Sequence, residues 1–191
     1  MTVTAGALDR RPKRADARRN YDKLIEAARA AFTEKGADAS LEDIARRADV
    51  GIGTLYRHFP TRQALLEATY LEEVEALCAT AEELSDLEPW DALVAWLRRF
   101  AEYASTKKAL STELLATIGM QSPLFADCHT AIFAAGGPLL ERAQAAGVVR
   151  PDVTANEALR LVSGVLMVRS AEPDEINRLL DLAMDGLRYR G

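Results

Sequence analysis

The chain has 191 residues, of which 49% are hydrophobic and 28% charged, and its formal net charge at pH 7 is −5. Two cysteines are too few for a disulfide framework or a zinc finger, and no apolar stretch approaches the roughly 20 residues of a membrane span. The N-terminus also lacks the apolar run of a signal peptide, so we expect a soluble, cytoplasmic protein that does not contact a membrane.

Charge is distributed unevenly along the chain. Residues 1–62 carry a formal charge of +4, whereas residues 63–191 carry −9. A basic segment followed by an acidic remainder is typical of a DNA-binding module attached to a body that does not bind DNA. A charge imbalance on a solvated surface would give the same numbers, so the interpretation needs support from specific motifs.

The N-terminal segment is predicted to be a flexible arm followed by a helix. Residues 1–17 have no apolar period and contain four closely spaced basic residues, Arg10, Arg11, Lys13 and Arg14. Two interpretations are open for them: insertion into the minor groove of DNA, or an untethered charged tail. The next segment has one apolar face from about Ala17 to Lys35, which predicts a helix that ends at Gly36.

Residues 40–60 predict two short helices around a tight turn. Ser40 is positioned to cap the first helix, with Asp43 three residues later, and apolar residues then recur at helical spacing at Leu41, Ile44, Ala45 and Ala48. Asp49 tolerates the left-handed backbone that such a turn needs. Gly51 is a weak cap for the second helix, which carries Leu55 and Phe59 as core anchors and ends before Pro60.

The motif Gly-Thr-Leu-Tyr-Arg-His-Phe at residues 53–59, with Ile44 and Ala45 upstream, resembles the helix-turn-helix of the TetR family of transcriptional regulators. The chain departs from the usual pattern at Asp49 and Gly51, where the family often has Gly and Ser. The resemblance implies an all-α fold of about nine helices. It divides the chain into a basic arm at 1–17, a three-helix DNA-binding domain at 18–62 with its motif at 40–59, and a ligand-binding and dimerisation domain at 63–191.

The resemblance, carried over position by position, also implies which residues contact DNA. The expected set is Gly51, Gly53, Thr54, Tyr56, Arg57, His58, Arg62 and Arg18. Hydroxyl, imidazole and guanidinium groups donate hydrogen bonds to phosphates, and a glycine permits close backbone approach. Two alternatives remain open: Arg57 contacts either guanine or phosphate, and Tyr56 either contacts phosphate or packs under the first helix.

The remaining sequence predicts six further helices. Thr61 caps a long helix that ends near Ser85. Later helix starts are marked by Pro89, Pro173 and a Thr154–Glu157 capping box. The Gly-Gly-Pro run at 136–138 either kinks or splits one of them. The predicted segments after Ser85 are 89–106, 110–118, 123–146, 154–170 and 173–189.

The large apolar side chains of this body predict a core, and the resemblance implies that some of them surround a small apolar or amphipathic effector. The candidates are Trp96, Phe100, Tyr103, Leu114, Met120, Phe125, Phe133 and Met167. Adjacent residues on a helix point in different directions, so Asp127, Cys128 and His129 do not converge on one metal ion. We expect neither a metal nor another cofactor.

The last two helices carry wider apolar faces than one small core needs, and the resemblance implies a homodimer formed through them. Two recognition helices about 34 Å apart would read half-sites one turn apart on double-stranded DNA. We therefore expect a repressor that binds a pseudo-palindromic operator and is released by a small-molecule effector. An activator or a ligand-insensitive DNA-binding protein is the alternative. An enzyme is disfavoured, because the chain has two histidines and no glycine-rich phosphate loop.

Overall fold

The computed structural model describes residues 11–12, 14–119, 122–168 and 172–189. Within these ranges the chain forms eight α-helices, one single-turn 3₁₀ helix at Gly36–Asp38 and no β-strand, which confirms the prediction of an all-α fold. The helices are α1 (Ala15–Lys35), α2 (Leu41–Arg47), α3 (Ile52–His58), α4 (Arg62–Glu83), α5 (Pro89–Ile118), α6 (Pro123–Ala145), α7 (Ala155–Val165) and α8 (Pro173–Asp185).

Local capping signals fix several of the helix starts. The Ser40 hydroxyl accepts a hydrogen bond from the Asp43 amide at 3.1 Å, and the Thr61 hydroxyl accepts one from the Ala64 amide at 3.0 Å. Thr154 and Glu157 form a complete capping box at the start of α7. Each cap satisfies an amide that has no partner within the helix, so these starts could be predicted from short sequence patterns.

Three predicted boundaries are wrong. The segments 89–106 and 110–118 form one helix, α5, because no Gly or Pro interrupts the chain between Pro89 and Ile118. The helix predicted for 154–170 ends at Val165, and the one predicted for 173–189 ends at Asp185, directly before Gly186. The Gly-Gly-Pro run at 136–138 lies inside a continuous α6.

The residues after α8 leave the helix to pair with the turn that follows α6. Val149 and Arg188 form an isolated antiparallel β-bridge. The Arg150 amide donates to the Leu187 carbonyl at 3.0 Å, and the Tyr189 amide donates to the Val148 carbonyl at 3.2 Å. These bonds satisfy backbone groups that a longer α8 would have paired internally.

The chain folds into two compact units, each made of two stretches of sequence. The first comprises Met1–Glu75 and Thr106–Cys128, and the second comprises Ala76–Ser105 and His129–Gly191. In the first unit α2 packs against α1 and α3, and the core includes fully buried side chains from α1 to α5 such as Phe32, Ile44, Leu55, Leu66, Tyr70 and Leu114. The domain boundary after residue 62 stays a prediction.

The second unit has its own apolar core. Buried side chains from α5, α6, α7 and α8 form it, among them Leu93, Trp96, Leu97, Ile132, Leu140, Val162 and Leu180. Helices α7 and α8 pack against each other in this unit. None of the helices in the described ranges is long and apolar enough to span a lipid bilayer.

Candidate nucleic-acid interface

The turn between α2 and α3 has the geometry of a tight helix-turn-helix connection. Asp49 adopts a φ of 53°, the left-handed conformation predicted for it. The Asp49 amide donates to the Arg46 carbonyl at 3.2 Å, and the Val50 amide donates to the Ala45 carbonyl at 3.0 Å. Gly51 then takes an extended conformation as the N-cap of α3. The turn thereby fixes where α3 begins.

Helix α3 buries one face and exposes the other. Leu55 and Phe59 are 0% and 3% exposed, as expected for its two anchors. Arg57 is exposed, and Thr54 is half-buried. Tyr56 is 45% exposed, which is more than a ring packed beneath α1 would retain. The polar side chains of α3 are therefore presented to solvent by a helix whose apolar side is fixed in the core.

The two glycines at the start of α3 lie in open space. Gly51 and Gly53 are both exposed, and a Cβ built on either would meet no atom within 4 Å. The fold of the single chain therefore does not require glycine at position 53 for lack of room. A close approach by an external molecule is a physical reason for a glycine there.

His58 is the last residue of α3, and its ring also contacts α1. Its ring lies edge-on to Tyr21 with centroids 6.2 Å apart, and Tyr21 also packs against Phe59 at 5.2 Å. Burial lowers the pKa of the His58 imidazole below its ordinary value, so the ring is mostly neutral at pH 7. As a neutral ring, it can donate one hydrogen bond but supplies no positive charge.

Arg62, at the start of α4, is engaged with the protein. Its guanidinium donates to the Gly36 carbonyl at 3.0 Å, the Ala39 carbonyl at 3.3 Å and the Glu113 carboxylate at 2.5 Å. It also lies over the Phe32 ring, 5.0 Å from the centroid. The structure therefore gives Arg62 competing partners, and its expected contact with a DNA phosphate stays a prediction.

The arm is described only in part. Arg10 and Lys13 lie outside the described residues, whereas Arg11 pairs through both ends of its guanidinium with the Glu72 carboxylate of α4. Arg14 is the N-cap of α1, and Arg18 is exposed in the first turn of that helix. Arg11 is thus neither in open solvent nor presented outward, a third possibility that the sequence did not indicate.

The second unit contains a narrow apolar cavity between α5, α6 and α7. Its volume is about 10 Å³, room for roughly one water molecule. Its walls are Leu93, Trp96, Leu97, Ile132, Phe133, Gly136, Gly137, Leu140, Ala155, Ala158 and Leu159. Trp96 and Phe133 are the two expected effector residues that line it.

The other expected effector residues lie elsewhere. Phe100 and Tyr103 continue a run of aromatic rings from Trp96 along α5, with centroids 6.2–6.3 Å apart. Leu114 and Phe125 belong to the first unit, and Met120 lies outside the described residues. Met167 follows α7 and is 71% exposed, so it does not line an interior cavity of the single chain.

Sequence reasoning missed the acidic partners of the basic residues. Glu72 and Glu113 meet Arg11 and Arg62 across 61 and 51 residues of sequence, and no local pattern indicates such pairs. In the described ranges, no group of three His, Cys, Asp or Glu side chains is arranged to hold a metal ion.

Comparisons with known proteins agree with this geometry. A family profile described as "Bacterial regulatory proteins, tetR family" matches residues 24–69, and one described as "Transcriptional regulator SbtR-like, C-terminal domain" matches residues 88–189. A TetR transcriptional regulator from Streptomyces coelicolor is 42% identical in sequence to this chain. Its crystal structure matches the structure of this chain with a TM-score of 0.78, and the match covers 90% of this chain and 99% of that one.

Curated relatives give the same result. The HTH-type transcriptional regulator UidR of Escherichia coli K12 is 31% identical over 160 residues, covering 78% of this chain and 81% of UidR. The HTH-type transcriptional repressor KstR of Rhodococcus jostii is 28% identical, covering 93% of this chain and 88% of KstR. The chain therefore belongs to the TetR family of bacterial transcriptional regulators, which are DNA-binding proteins and not enzymes.

Proposed function

We propose that this protein is a repressor that binds a pseudo-palindromic operator as a homodimer in the cytoplasm and leaves the DNA when a small molecule binds its C-terminal region. The observation that carries the DNA-binding part is the exposed polar face of α3 on a buried anchor of Leu55 and Phe59. A relative named as a transcriptional repressor, KstR, supports repression rather than activation.

The proposed contacts with DNA come from the exposed face of α3 and its flanks. Arg57 reaches a guanine edge or a phosphate, and a bidentate guanine contact would discriminate by about 1–3 kcal/mol. Thr54, Tyr56 and His58 donate hydrogen bonds to backbone phosphates, with the Gly51 and Gly53 backbone at the closest approach. Arg18 and Arg62 also contact phosphates in this proposal. Arg62 would first have to release the Glu113 carboxylate and then bind a phosphate in its place.

The proposed dimer forms through α7 and α8. Leu161 and Leu182 are 42% and 59% exposed in the single chain, and Met167 and Val168 extend the exposed apolar surface beyond α7. Apolar groups exposed together on neighbouring helices are typical of an interaction site. A second copy of the chain would cover them and place two recognition helices on successive turns of DNA.

The proposed effector site is the apolar cavity of the second unit. Because the cavity is nearly filled, an effector must displace side chains that line it, and we propose that Trp96, which is 1% exposed, is one of them. The Trp96 indole N–H has no acceptor among the described residues, so a small apolar molecule that carries one hydrogen-bond acceptor matches this wall. Release from DNA would be a population shift towards a conformation that binds the operator poorly.

The same filled interior favours a second candidate, a DNA-binding regulator that responds to no effector. A thermal-shift screen of small molecules separates the two. A compound that stabilises the protein and lowers its affinity for the operator supports the repressor released by an effector. A screen without such a compound supports the second candidate.

The test of the DNA interface measures fluorescence anisotropy on DNA from upstream of the gene, against scrambled DNA, across a salt series. Arg57→Ala and Tyr56→Ala are expected to abolish operator preference while light scattering still detects a dimer. Arg99→Ala, which removes an exposed arginine from α5, is the matched control and should bind like the unmodified protein. Unchanged operator affinity in both α3 variants would contradict the assignment of α3 as the recognition helix.

A further inference from the structure

An arginine of the basic arm is held by a buried acid of α4. Arg11 Nε donates to Glu72 Oε1 at 2.9 Å, and Arg11 Nη2 donates to Glu72 Oε2. The Arg11 side chain is 30% exposed, and the Glu72 side chain is 10% exposed. A bidentate pair with one partner buried is geometrically specific, because the planar guanidinium fixes the orientation of the carboxylate.

The Glu72 carboxylate also faces Tyr21 of α1. Tyr21 is 3% exposed, and burial, followed by the nearby Glu72 charge, raises the pKa of its hydroxyl. Asp22 and Glu75 add negative charge around Arg11. Glu72 is therefore enclosed between one cation and one phenol, and loss of the cation would leave a buried carboxylate beside other acids.

Tyr21 in turn supports the C-terminal end of the recognition helix. Its ring packs against Phe59 with centroids 5.2 Å apart and meets His58 edge-on at 6.2 Å. Phe59 is one of the two anchors that hold α3 in the core. A continuous set of contacts thus runs from the arm through Glu72 and Tyr21 to α3, all within the first unit.

We propose that Arg11 is a positioning residue for the recognition helix: it holds Glu72 beneath Tyr21, Tyr21 fixes the end of α3, and Arg11 itself does not touch DNA. This inference depends on the proposed DNA-binding role of α3. It differs from the two roles that the sequence left open for the arm, because the Arg11 charge is neutralised by Glu72 and is not offered to a phosphate.

The proposal is tested with Arg11→Ala, Arg11→Lys and Glu72→Gln in the full chain, by anisotropy on the operator across a salt series. Arg11→Ala is expected to weaken operator binding by roughly threefold to thirtyfold, the range seen when a coupled residue without ligand contact is changed. The slope of log affinity against log salt should stay unchanged. Arg11→Lys keeps the charge but loses the two-pronged geometry, so its affinity should be intermediate.

The Glu72 variant tests whether Arg11 and Glu72 act on operator binding through the same contact. Glu72→Gln should weaken binding in the same direction, and the Arg11→Ala, Glu72→Gln double variant should be no weaker than the more affected single variant, because both changes break one link. Thermal unfolding checks that each variant is folded. Arg11→Ala changes a partly exposed residue of the arm, so it decides the matter even where Glu72→Gln does not fold.

Two outcomes would overturn the proposal. A fall of about 0.9 in the salt slope for Arg11→Ala would show that Arg11 neutralises a phosphate directly. Unchanged operator affinity would show that the contacts do not reach α3. Failure of the unmodified protein to prefer any operator over scrambled DNA is a separate result, because it contradicts the proposed function and not this link.

Discussion

We propose that Gly53 matters for a binding partner, because the fold gives it no steric reason to be glycine. Its position near the start of α3 is exposed, and an added Cβ would meet nothing within 4 Å in the chain. Glycine in a helix loses more conformational entropy on folding than alanine does. A position that costs helix stability and has room for a side chain is best explained by something that approaches from outside.

Gly53→Ala is therefore expected to raise thermal stability slightly, by up to about 1 kcal/mol, because alanine is the better helix former. The same variant should bind the operator roughly tenfold more weakly, because a methyl group in a close contact pushes the two surfaces apart. Differential scanning calorimetry and anisotropy measure the two effects. Equal operator affinity would place Gly53 outside the contact.

The residues whose roles could be predicted from sequence are those governed by their immediate neighbours. Ser40 caps a helix and Asp49 takes a left-handed φ because of chemistry within a few residues of each. The resemblance implies that Arg62 contacts a DNA phosphate, which stays a prediction; the structure adds that its guanidinium lies against two backbone carbonyls and Glu113. Partners brought together by folding leave no periodic signal, so such ion pairs could not be predicted.

At the scale of the elements, α5 and α6 make a close contact at Gly136, which is buried. A Cβ built on Gly136 would lie 2.3 Å from two carbons of the Trp96 ring, whereas one on Gly137 would meet nothing within 4 Å. The indole therefore packs directly on the backbone of α6. The sequence predicts that this Gly-Gly-Pro run kinks or splits the helix; α6 is not split there, and Gly136 leaves room for Trp96 to pack against it.

These two glycines form a matched pair for mutation. Gly136→Ala should lower the free energy of unfolding by roughly 1–3 kcal/mol, because the added methyl group overlaps a buried ring. Gly137→Ala makes the same chemical change one residue away in the same helix, and it should not destabilise the protein in this way. Urea unfolding of both variants measures the difference. Equal stability would show that Trp96 moves away from Gly136 at little cost.

Helix ends were harder to predict than helix starts, for a physical reason. The starts of α2, α4 and α7 depend on side-chain caps that the sequence displays. The end of α8 depends on pairing between residues 187–189 and the turn after α6, which is a tertiary contact. The break predicted between 106 and 110 is wrong, because the residues there are compatible with one continuous helix.

For the molecule as a whole, the exposed apolar side chains of α7 and α8 suggest that the single chain is not the functional unit. Leu161 and Leu182 are each more than two-fifths exposed on helices that pack against each other. One recognition helix contacts a few base pairs, so a protein that reads a pseudo-palindrome needs two of them. Assembly and DNA recognition should therefore fail together when the apolar surface is made charged.

Leu161→Glu and Leu182→Glu together are expected to convert the proposed dimer into a monomer, because an interface cannot bury two unpaired carboxylates at low cost. Light scattering after size-exclusion chromatography measures the mass, and anisotropy should show operator affinity at least about a hundredfold lower. Leu87→Glu changes a leucine of similar exposure, 46%, between α4 and α5, and should leave both properties intact. A double variant that remains dimeric would move the interface elsewhere.

The pairing of the last described residues with the turn after α6 has a practical consequence for anyone who modifies this chain. The Arg188 guanidinium lies 4.2 Å from the centroid of the Trp90 ring, so residues 187–189 fasten that turn to the beginning of α5. Deletion of residues 187–189 would remove the contacts of the turn after α6 and of the beginning of α5, although these residues follow the last helix. A purification tag or fluorescent reporter fused after residue 189 therefore requires a spacer, so that Leu187, Arg188 and Tyr189 keep their pairing.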